Sequence, residues 1–196
     1  MSDLVTTDEA IRQLEARFEE RIAALEEAYE KRIRELEERM PANRITIVCF
    51  SGDLDRAMAA FIIATGALAM GYECSMYFTF WGLSIIKKKA ETSGKSIAER
   101  MFTMMLPENM EELGISKMNF AGVGAKMMRS IMKKKNVATL EELIETAQEM
   151  GIKIISCTMA MDILGIRDEE MRDGLVYGGV GTFLGDAFDS RVTLFI

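Results

Sequence analysis

Cys157 is the residue of this 196-residue chain whose type and position best support covalent chemistry. It follows an apolar run at residues 152–156 and precedes Thr158, which begins a predicted helix. Unpaired amides and the dipole at a helix N-terminus favour negative charge, and therefore favour thiolate over thiol. Such a thiolate can attack a polarised sulfur atom and carry it as a persulfide. The alternative for Cys157 is an inert, buried thiol.

The other two cysteines are weaker candidates. Cys49 and Cys74 both fall inside apolar runs, where a buried, unreactive cysteine is the usual outcome. Cys49 has one further possibility as a second thiol. If the third strand pairs beside the first, Cys49 would lie near the same sheet edge as Cys157, and a transient disulfide or a sulfur relay between them becomes conceivable.

The sequence contains no histidine and no CxxC motif. The first absence excludes Ser-His-Asp and Cys-His activation and histidine-ligated zinc. Three scattered cysteines also predict neither a disulfide scaffold nor a zinc ribbon. We therefore expect no metal and no cofactor.

A short turn formed by Ser51, Gly52 and Asp53 could contact a ligand through backbone amides at a helix start. The same residues equally make a plain tight turn and helix N-cap, and they match neither GxGxxG nor a P-loop. Asp186 and Asp189 are expected to be solvated or to cap a helix. Other candidates for a pocket at the strand ends are Phe80, Trp81, Gly82, Thr158, Gly178 and Gly179.

The elements that would position these residues follow an α/β pattern. Residues 45–50 form an apolar, β-branched run, residues 54–70 an apolar helix ended by Gly71, and residues 74–80 a second strand. Thr139 and Glu142 have capping-box spacing and begin another helix. Further strands are predicted at residues 152–156, 175–177 and 191–196. The sequence thus predicts about five mostly parallel strands with helices on both faces, whose carboxyl ends form the ligand-binding edge.

Residues 7–40 predict one long helix, with Thr6 and Glu9 as its capping box. Its larger apolar residues repeat every eleven positions, which gives a straight or slightly right-handed coiled coil. We expect a parallel homo-oligomer, although packing onto the chain's own globular part is an alternative. The predicted domains are residues 1–41, an oligomerisation helix, and residues 42–196. The repeating positions are Ile11, Leu14, Phe18, Ile22, Leu25, Tyr29, Ile33, Leu36 and Met40.

Composition excludes several classes of function. Apolar residues make up 49% of the chain, and the net charge is −7, of which residues 1–40 with 12 acids and 7 bases hold −5. An acidic chain without a basic stripe is a poor nucleic-acid binder. The longest uncharged run has 16 residues, which is short for a membrane span, and no secretory signal is apparent, so a cytoplasmic location is expected. The methionine-rich residues 101–132 are read as core filler, or alternatively as a lid or partner surface.

Three ordered segments carry a family resemblance: residues 50–57 (FSGDLDRA), 78–83 (FTFWGL) and 157–166 (CTMAMDILGI). They resemble the DsrE/DsrF-like family in its peroxiredoxin-like branch, over about residues 44–196. The resemblance implies a flavodoxin-like sheet, homo-oligomers and a sulfur-transfer role. It also implies Cys157 as the sulfur carrier, with rhodanese-like or TusA-like proteins as sulfur donors or acceptors.

Two other functions stay open at this point. A non-catalytic oligomeric module could bind a small anion or a nucleotide at the strand ends, with the Ser51–Asp53 turn as its essential part. A disulfide oxidoreductase or redox sensor would require Cys49 and Cys157 to approach within disulfide range.

Overall fold

The computed structural model describes the backbone of residues 2–39 and 42–196, and the side chains of residues 9, 11–36 and 42–196. By internal contacts the chain divides into two compact units, Met1–Met40 and Pro41–Ile196. The first unit is a single helix, α1 (Ser2–Arg39). In the second unit the elements follow in this order: β1 (Ala42–Cys49), α2 (Leu54–Ala69), β2 (Glu73–Phe78), α3 (Ile97–Met105), α4 (Val123–Lys134), α5 (Leu140–Glu149), β3 (Lys153–Cys157), α6 (Thr158–Leu164), β4 (Val176–Gly178), α7 (Val180–Phe188) and β5 (Ser190–Phe195).

The helix α1 begins earlier than the sequence pattern predicts. Thr6 lies inside it rather than at its N-cap, because residues 2–39 contain neither proline nor glycine to interrupt the helix. The apolar stripe is present, and its described members are each about half exposed or more in the single chain, from 49% at Ile11 to 67% at Tyr29. Met40, the last predicted member of the stripe, and Pro41, the predicted helix end, lie outside the described residues.

The five strands form one parallel sheet in the order β4-β3-β2-β1-β5. The predicted α/β, flavodoxin-like architecture is therefore confirmed. The condition under which Cys49 could approach Cys157 is not met: the third strand does not pair beside the first, because β2 lies between them.

Helices cover both faces of the sheet, and two consecutive residues of β2 show this. Phe78 projects toward α2, with its ring centroid 6.0 Å from that of Phe61. Tyr77 projects to the opposite face, with its ring centroid 5.4 Å from that of Phe183 in α7. Successive side chains of a strand alternate between faces, so the sheet has an α2 face and an α7 face. Phe61, Phe78 and Ile47 are fully buried, and burial of each such side chain stabilises the fold by about 1.5–3 kcal/mol.

Local signals begin and end the helices as predicted in two places. The chain turns at Gly71 with φ of +81°, a left-handed conformation that glycine adopts without steric cost. Thr139 Oγ1 accepts a hydrogen bond from the Glu142 N–H, and the Glu142 carboxylate accepts one from the Thr139 N–H, which completes a capping box at the start of α5.

The stretch between β2 and α5 consists of short helices, as predicted. Its methionines, however, are mostly not core filler. Met110 is buried and Met128 and Met132 pack partly against the core, whereas five others are more than half exposed. These five are Met101, Met104, Met105, Met118 and Met127. Their exposure favours the surface alternative over the core alternative.

Candidate functional site

Cys157 lies at the predicted position, where β3 ends and α6 begins. It is the last residue of the strand and the N-cap of the helix, with φ of −72° and ψ of 106°. Its side chain makes no capping hydrogen bond to the amides of α6. The residue is 1% exposed. The thiol is therefore located at the ligand-binding edge of the sheet but is covered in this conformation.

Tyr77 is a polar residue of the neighbouring strand that shares a face of the sheet with Cys157. Both residues project to the α7 face, since Tyr77 pairs in register with Ile155, two residues before Cys157. Burial, followed by the hydrogen bond and the charge interaction with Cys157, raises the pKa of Tyr77 above its usual range. Tyr77 consequently stays protonated at neutral pH, and its O–H is available to donate to an anionic sulfur. Sequence reasoning missed Tyr77, although strand alternation pointed to it.

Gly178 pairs in register with Cys157 on the other side of β3. Because Gly178 has no side chain, it leaves the α7 face open beside the thiol, and Thr182 of α7 occupies this space. A Cβ atom at position 178 would lie 2.6 Å from Thr182 Oγ1. Gly179 is the N-cap of α7, and a Cβ atom there would meet nothing within 4 Å. Thr158, the first residue of α6, is exposed.

Cys49 does not approach Cys157. Cys49 pairs in register with Phe78, which pairs with Ser156, so Cys49 projects to the α2 face and Cys157 to the α7 face. Two strand spacings of about 4.8 Å also separate β1 from β3, and disulfides need Cα atoms within about 7 Å. The predicted proximity of the two thiols is wrong because β2 intervenes.

Burial keeps both thiols of the α2 face protonated. It raises the pKa of Cys74 to about 12, and it raises the pKa of Cys49 further, with an added contribution from Cys74. Neither residue supplies appreciable thiolate at neutral pH. All three cysteines are free thiols.

The turn at Ser51, Gly52 and Asp53 is occupied by internal contacts. The Ser51 hydroxyl donates to Asp53 Oδ2 at 2.6 Å, and Arg56 Nε lies 3.6 Å from the same oxygen. Asp53 is the N-cap of α2, but its side chain makes no capping bond. The polar side chains at this turn thus contact one another.

The loop that contains Phe80, Trp81 and Gly82 crosses that turn at close range. Gly82 donates its N–H to the Phe50 carbonyl at 2.9 Å, and a Cβ atom at Gly82 would overlap the Cys49 carbonyl. A Cβ atom at Gly52 would lie 2.7 Å from the Trp81 carbonyl. These glycines let two backbones pass each other, and Phe80 takes a left-handed φ of 47° at the crossing. The loops at the ends of β1 and β2 are therefore joined, and Trp81 remains 45% exposed.

Asp186 is buried in a polar cluster on the α7 face, not solvated as expected. It accepts hydrogen bonds from Ser75 Oγ at 2.7 Å and Lys153 Nζ at 2.8 Å, and Arg44 Nη1 lies 3.6 Å away. Burial raises the pKa of Asp186, but the hydrogen bonds and charges of these partners outweigh it and lower that pKa below its ordinary value. The signal for this cluster was available: Ser75 and Lys153 are polar residues inside apolar strands, and they are register partners.

Two cavities lie away from the thiol. One, of about 850 Å³, is lined mainly by α4, α5 and the segment between them. The other, of about 450 Å³, is lined by polar residues that include Lys87 and Arg172. Neither includes Cys157 or Tyr77 in its lining. Within the described residues no group of three or more acidic or cysteine side chains is arranged to hold a metal ion, and no helix among them is long and apolar enough to cross a membrane.

These features define a parallel α/β protein whose candidate reactive thiol ends a central strand. The chain belongs to the DsrE/DsrF/DrsH-like family, which it matches over residues 41–195. It is 49% identical over 154 residues to the uncharacterized protein YrkE of Bacillus subtilis, covering 78% of this chain and 96% of YrkE. It is 35% identical over 161 residues to the sulfur carrier protein DsrE2 of Allochromatium vinosum, covering 80% of this chain and 100% of that protein. The crystal structure of YchN from E. coli is similar with a TM-score of 0.44 at 9% identity, covering 78% of this chain and 98% of YchN.

Proposed function

We propose that the protein is a sulfur carrier or sulfurtransferase in which Cys157 bears the transferred sulfur as a persulfide. The observation that carries this proposal is the position of Cys157 at the carboxyl end of β3, with Tyr77 on the same face of the neighbouring strand. Membership of the family, and the likeness to a relative that is itself a sulfur carrier, support the same reaction class. The other two thiols are held protonated on the opposite face of the sheet.

The transfer step needs no external oxidant or reductant. The Cys157 thiolate attacks the outer sulfur of a donor persulfide, so that a new S–S bond forms at Cys157 while the donor's S–S bond breaks. The donor leaves as a thiolate, and its outer sulfur with its proton becomes the terminal S–H on Cys157. The reverse sequence delivers that sulfur to an acceptor thiolate. The Tyr77 O–H stabilises the anionic sulfur at both stages by donating a charge-assisted hydrogen bond.

Access to the thiol requires a local opening, because Cys157 is 1% exposed. The adjoining glycines Gly178 and Gly179 join β4 to α7, and they have more backbone freedom than other residues. We assign the opening to this junction. A rhodanese-like or TusA-like partner that docks at the strand ends would then meet the sulfur directly, near the exposed Trp81 and Thr158.

The direct test is mass spectrometry of the intact protein after incubation with polysulfide, or with thiosulfate and a rhodanese. We expect a mass increase of one sulfur atom on the wild-type chain, absent in Cys157→Ser and retained in the matched control Cys74→Ser. An unloaded wild type, or a Cys157→Ser variant that still loads, would overturn the proposal. Binding of a small anion or nucleotide that persists in Cys157→Ala but is lost in Ser51→Ala would favour the non-catalytic module instead.

Tyr77→Phe isolates the hydroxyl, because it keeps the ring that packs on Phe183. A hydrogen bond to a charged group contributes about 1.5–3 kcal/mol, so we expect sulfur loading to slow by about 10- to 100-fold. The melting temperature should change little. The measurement is the rate of persulfide formation, for which samples taken at successive times are quenched with an alkylating reagent. A rate equal to that of the wild type would remove Tyr77 from the mechanism.

We also propose that residues 7–40 assemble the protein into a parallel homo-oligomer. The support is the eleven-residue apolar repeat together with the exposure of every described stripe residue in the single chain. Buried against a second copy, such a stripe forms a coiled coil with like residues at matching levels. We further propose a cytoplasmic location, since a reactive free thiol persists in a reducing compartment.

A further inference from the structure

Lys87 is a buried cation that the proposed sulfur chemistry does not use. Lys87 lies two residues after the end of the short helical segment Phe80–Ile85. Its backbone forms an isolated antiparallel bridge with Met171. The residue is 1% exposed. Among the described residues its ammonium group has no hydrogen bond and no ion pair, yet it lines the polar cavity of about 450 Å³.

The neighbouring buried charges do not neutralise Lys87. Glu170 lies close enough to influence it, but both oxygens of that carboxylate are taken by Lys95 Nζ, at 2.7 and 2.9 Å. The same oxygens also accept the backbone N–H groups of Glu91 and Arg167, both at 2.8 Å. The buried group therefore holds two ammonium ions and one carboxylate, and one positive charge is left over.

Burial and the positive charge of Lys95 lower the pKa of Lys87, while Glu170, Glu108 and Glu112 act in the opposite direction. Among the described residues, Ser84 Oγ alone is a buried side-chain atom without a hydrogen-bond partner, so Lys87 Nζ is accessible from the cavity that it lines. A ligand in this cavity can therefore supply the missing negative charge. The cavity is the place from which that charge can come.

The remaining cations of the lining are already paired. Arg172 makes a double hydrogen bond to Glu141, and Lys88 Nζ lies 3.5 Å from Asp173 Oδ1. Lys87 is thus the lining cation for which the described residues offer no ion pair. Asn109 and Gln148 add neutral amide groups to the wall.

We propose that this cavity is a binding site for a small organic monocarboxylate, with the Lys87 ammonium as the counter-charge. Glu141 and Asp173 are paired with Arg172 and Lys88, which leaves Glu111 as the lining carboxylate that opposes a second negative charge on a ligand. This favours a monoanion over phosphate or sulfate. A volume of about 450 Å³ leaves room for an organic group beyond the carboxylate and lies within the usual range of ligand pockets.

The test uses the full chain with lysine labelled by ¹³C at Cε, and follows the Lys87 signal, which is identified by its loss in Lys87→Gln. At constant ionic strength, acetate and lactate should each shift this signal in a saturable way, with a dissociation constant on the order of millimolar. The control Lys89→Gln changes an exposed neighbouring lysine outside the cavity lining and should bind within about twofold of the wild type. In Lys87→Gln, no other lysine signal should shift in a saturable way.

Three binding results would overturn the proposal: no saturable shift of Lys87, equal loss of binding in Lys89→Gln, or phosphate binding as tightly as acetate. Folding is checked separately by the melting temperature. Because Lys87 has no ion-pair partner, Lys87→Gln should melt at or above the wild-type temperature. A large drop would mean that the ammonium has a structural role and would also count against a ligand site. None of these measurements involves Cys157, so the sulfur-transfer proposal stands or falls independently.

Discussion

The two units of this chain differ in how far they bury their apolar side chains. In the α/β unit, Ile47 of β1 is fully buried, whereas in α1 the comparable Ile22 is 54% exposed. Both units have a regular apolar pattern, so the pattern alone does not distinguish them. The difference shows that a sheet covered by helices completes its core within one chain, whereas the stripe of α1 stays exposed in the single chain and is buried only in the coiled coil that we propose.

The two units also differ in how they hold charge. Lys95 and Glu170 form an ion pair in which both side chains are 1% exposed. In α1, Arg32 and Glu35 pair at 3.3 Å with side chains 63% and 41% exposed. Water screens the second pair and hardly reaches the first. Because of this contrast, matched substitutions in the two units should lower the free energy of unfolding by very different amounts.

The largest expected effect is therefore in the buried pair. Lys95→Met leaves the Glu170 carboxylate buried without its partner, which should lower the free energy of unfolding by about 3–5 kcal/mol. The matched substitution Arg32→Met, in the exposed pair, should cost no more than about 0.5 kcal/mol. Urea unfolding of both variants measures the difference. Similar losses in the two would contradict the contrast in screening.

The next effect concerns the stripe of α1. Ile22→Ala should weaken self-association by about 2 kcal/mol or more per chain, since it removes a side chain that a second copy would bury. Glu20→Ala, on the opposite side of the helix, is the control and should leave association unchanged. Sedimentation velocity over a range of concentrations gives the answer. A wild-type chain that stays monomeric at high concentration would refute the coiled-coil proposal.

The smallest effect is in the partly solvated cluster of the α7 face. The folded-state pKa of Asp186 is depressed, so its stabilisation is present above the unfolded value of about 3.9 and is lost as the pH falls below it. The sign follows because the unfolded chain binds this proton first, so stability rises with pH in that range.

Lys153→Met tests that cluster. It removes the closest cation and should reduce stability at neutral pH by about 1 kcal/mol, discounted because the Lys153 side chain is 41% exposed. The loss should shrink toward zero in acid, which unfolding curves between neutral pH and the acid limit would show. A loss independent of pH would mean that packing, and not the Asp186 charge, explains the effect.

Much of this fold could be predicted from local patterns. The β-branched run of β1, the glycine that ends α2 and the capping box of α5 all depend on neighbours within a few residues. The position of Cys157 between a strand and a helix was predictable for the same reason. The starting residue of α1 was not, since Thr6 has the spacing of a cap but the helix continues through it.

The surroundings of Cys157 depended on long-range pairing. Placing β2 between β1 and β3 moved Cys49 out of reach and brought Tyr77 to the thiol. The same register joined Ser75 and Lys153 around Asp186, which sequence reasoning had expected in solvent.

From the sequence alone, the elements, the α/β class and the position of Cys157 between a strand and a helix were determined, because capping, turn geometry and apolar periodicity act over a few residues. Only the tertiary structure decided which strands are neighbours, which face each side chain occupies, and which charges are buried together. Those outcomes depend on strand order, which sets the neighbours of each strand, and on register, since a shift of one residue moves every side chain of a strand to the opposite face.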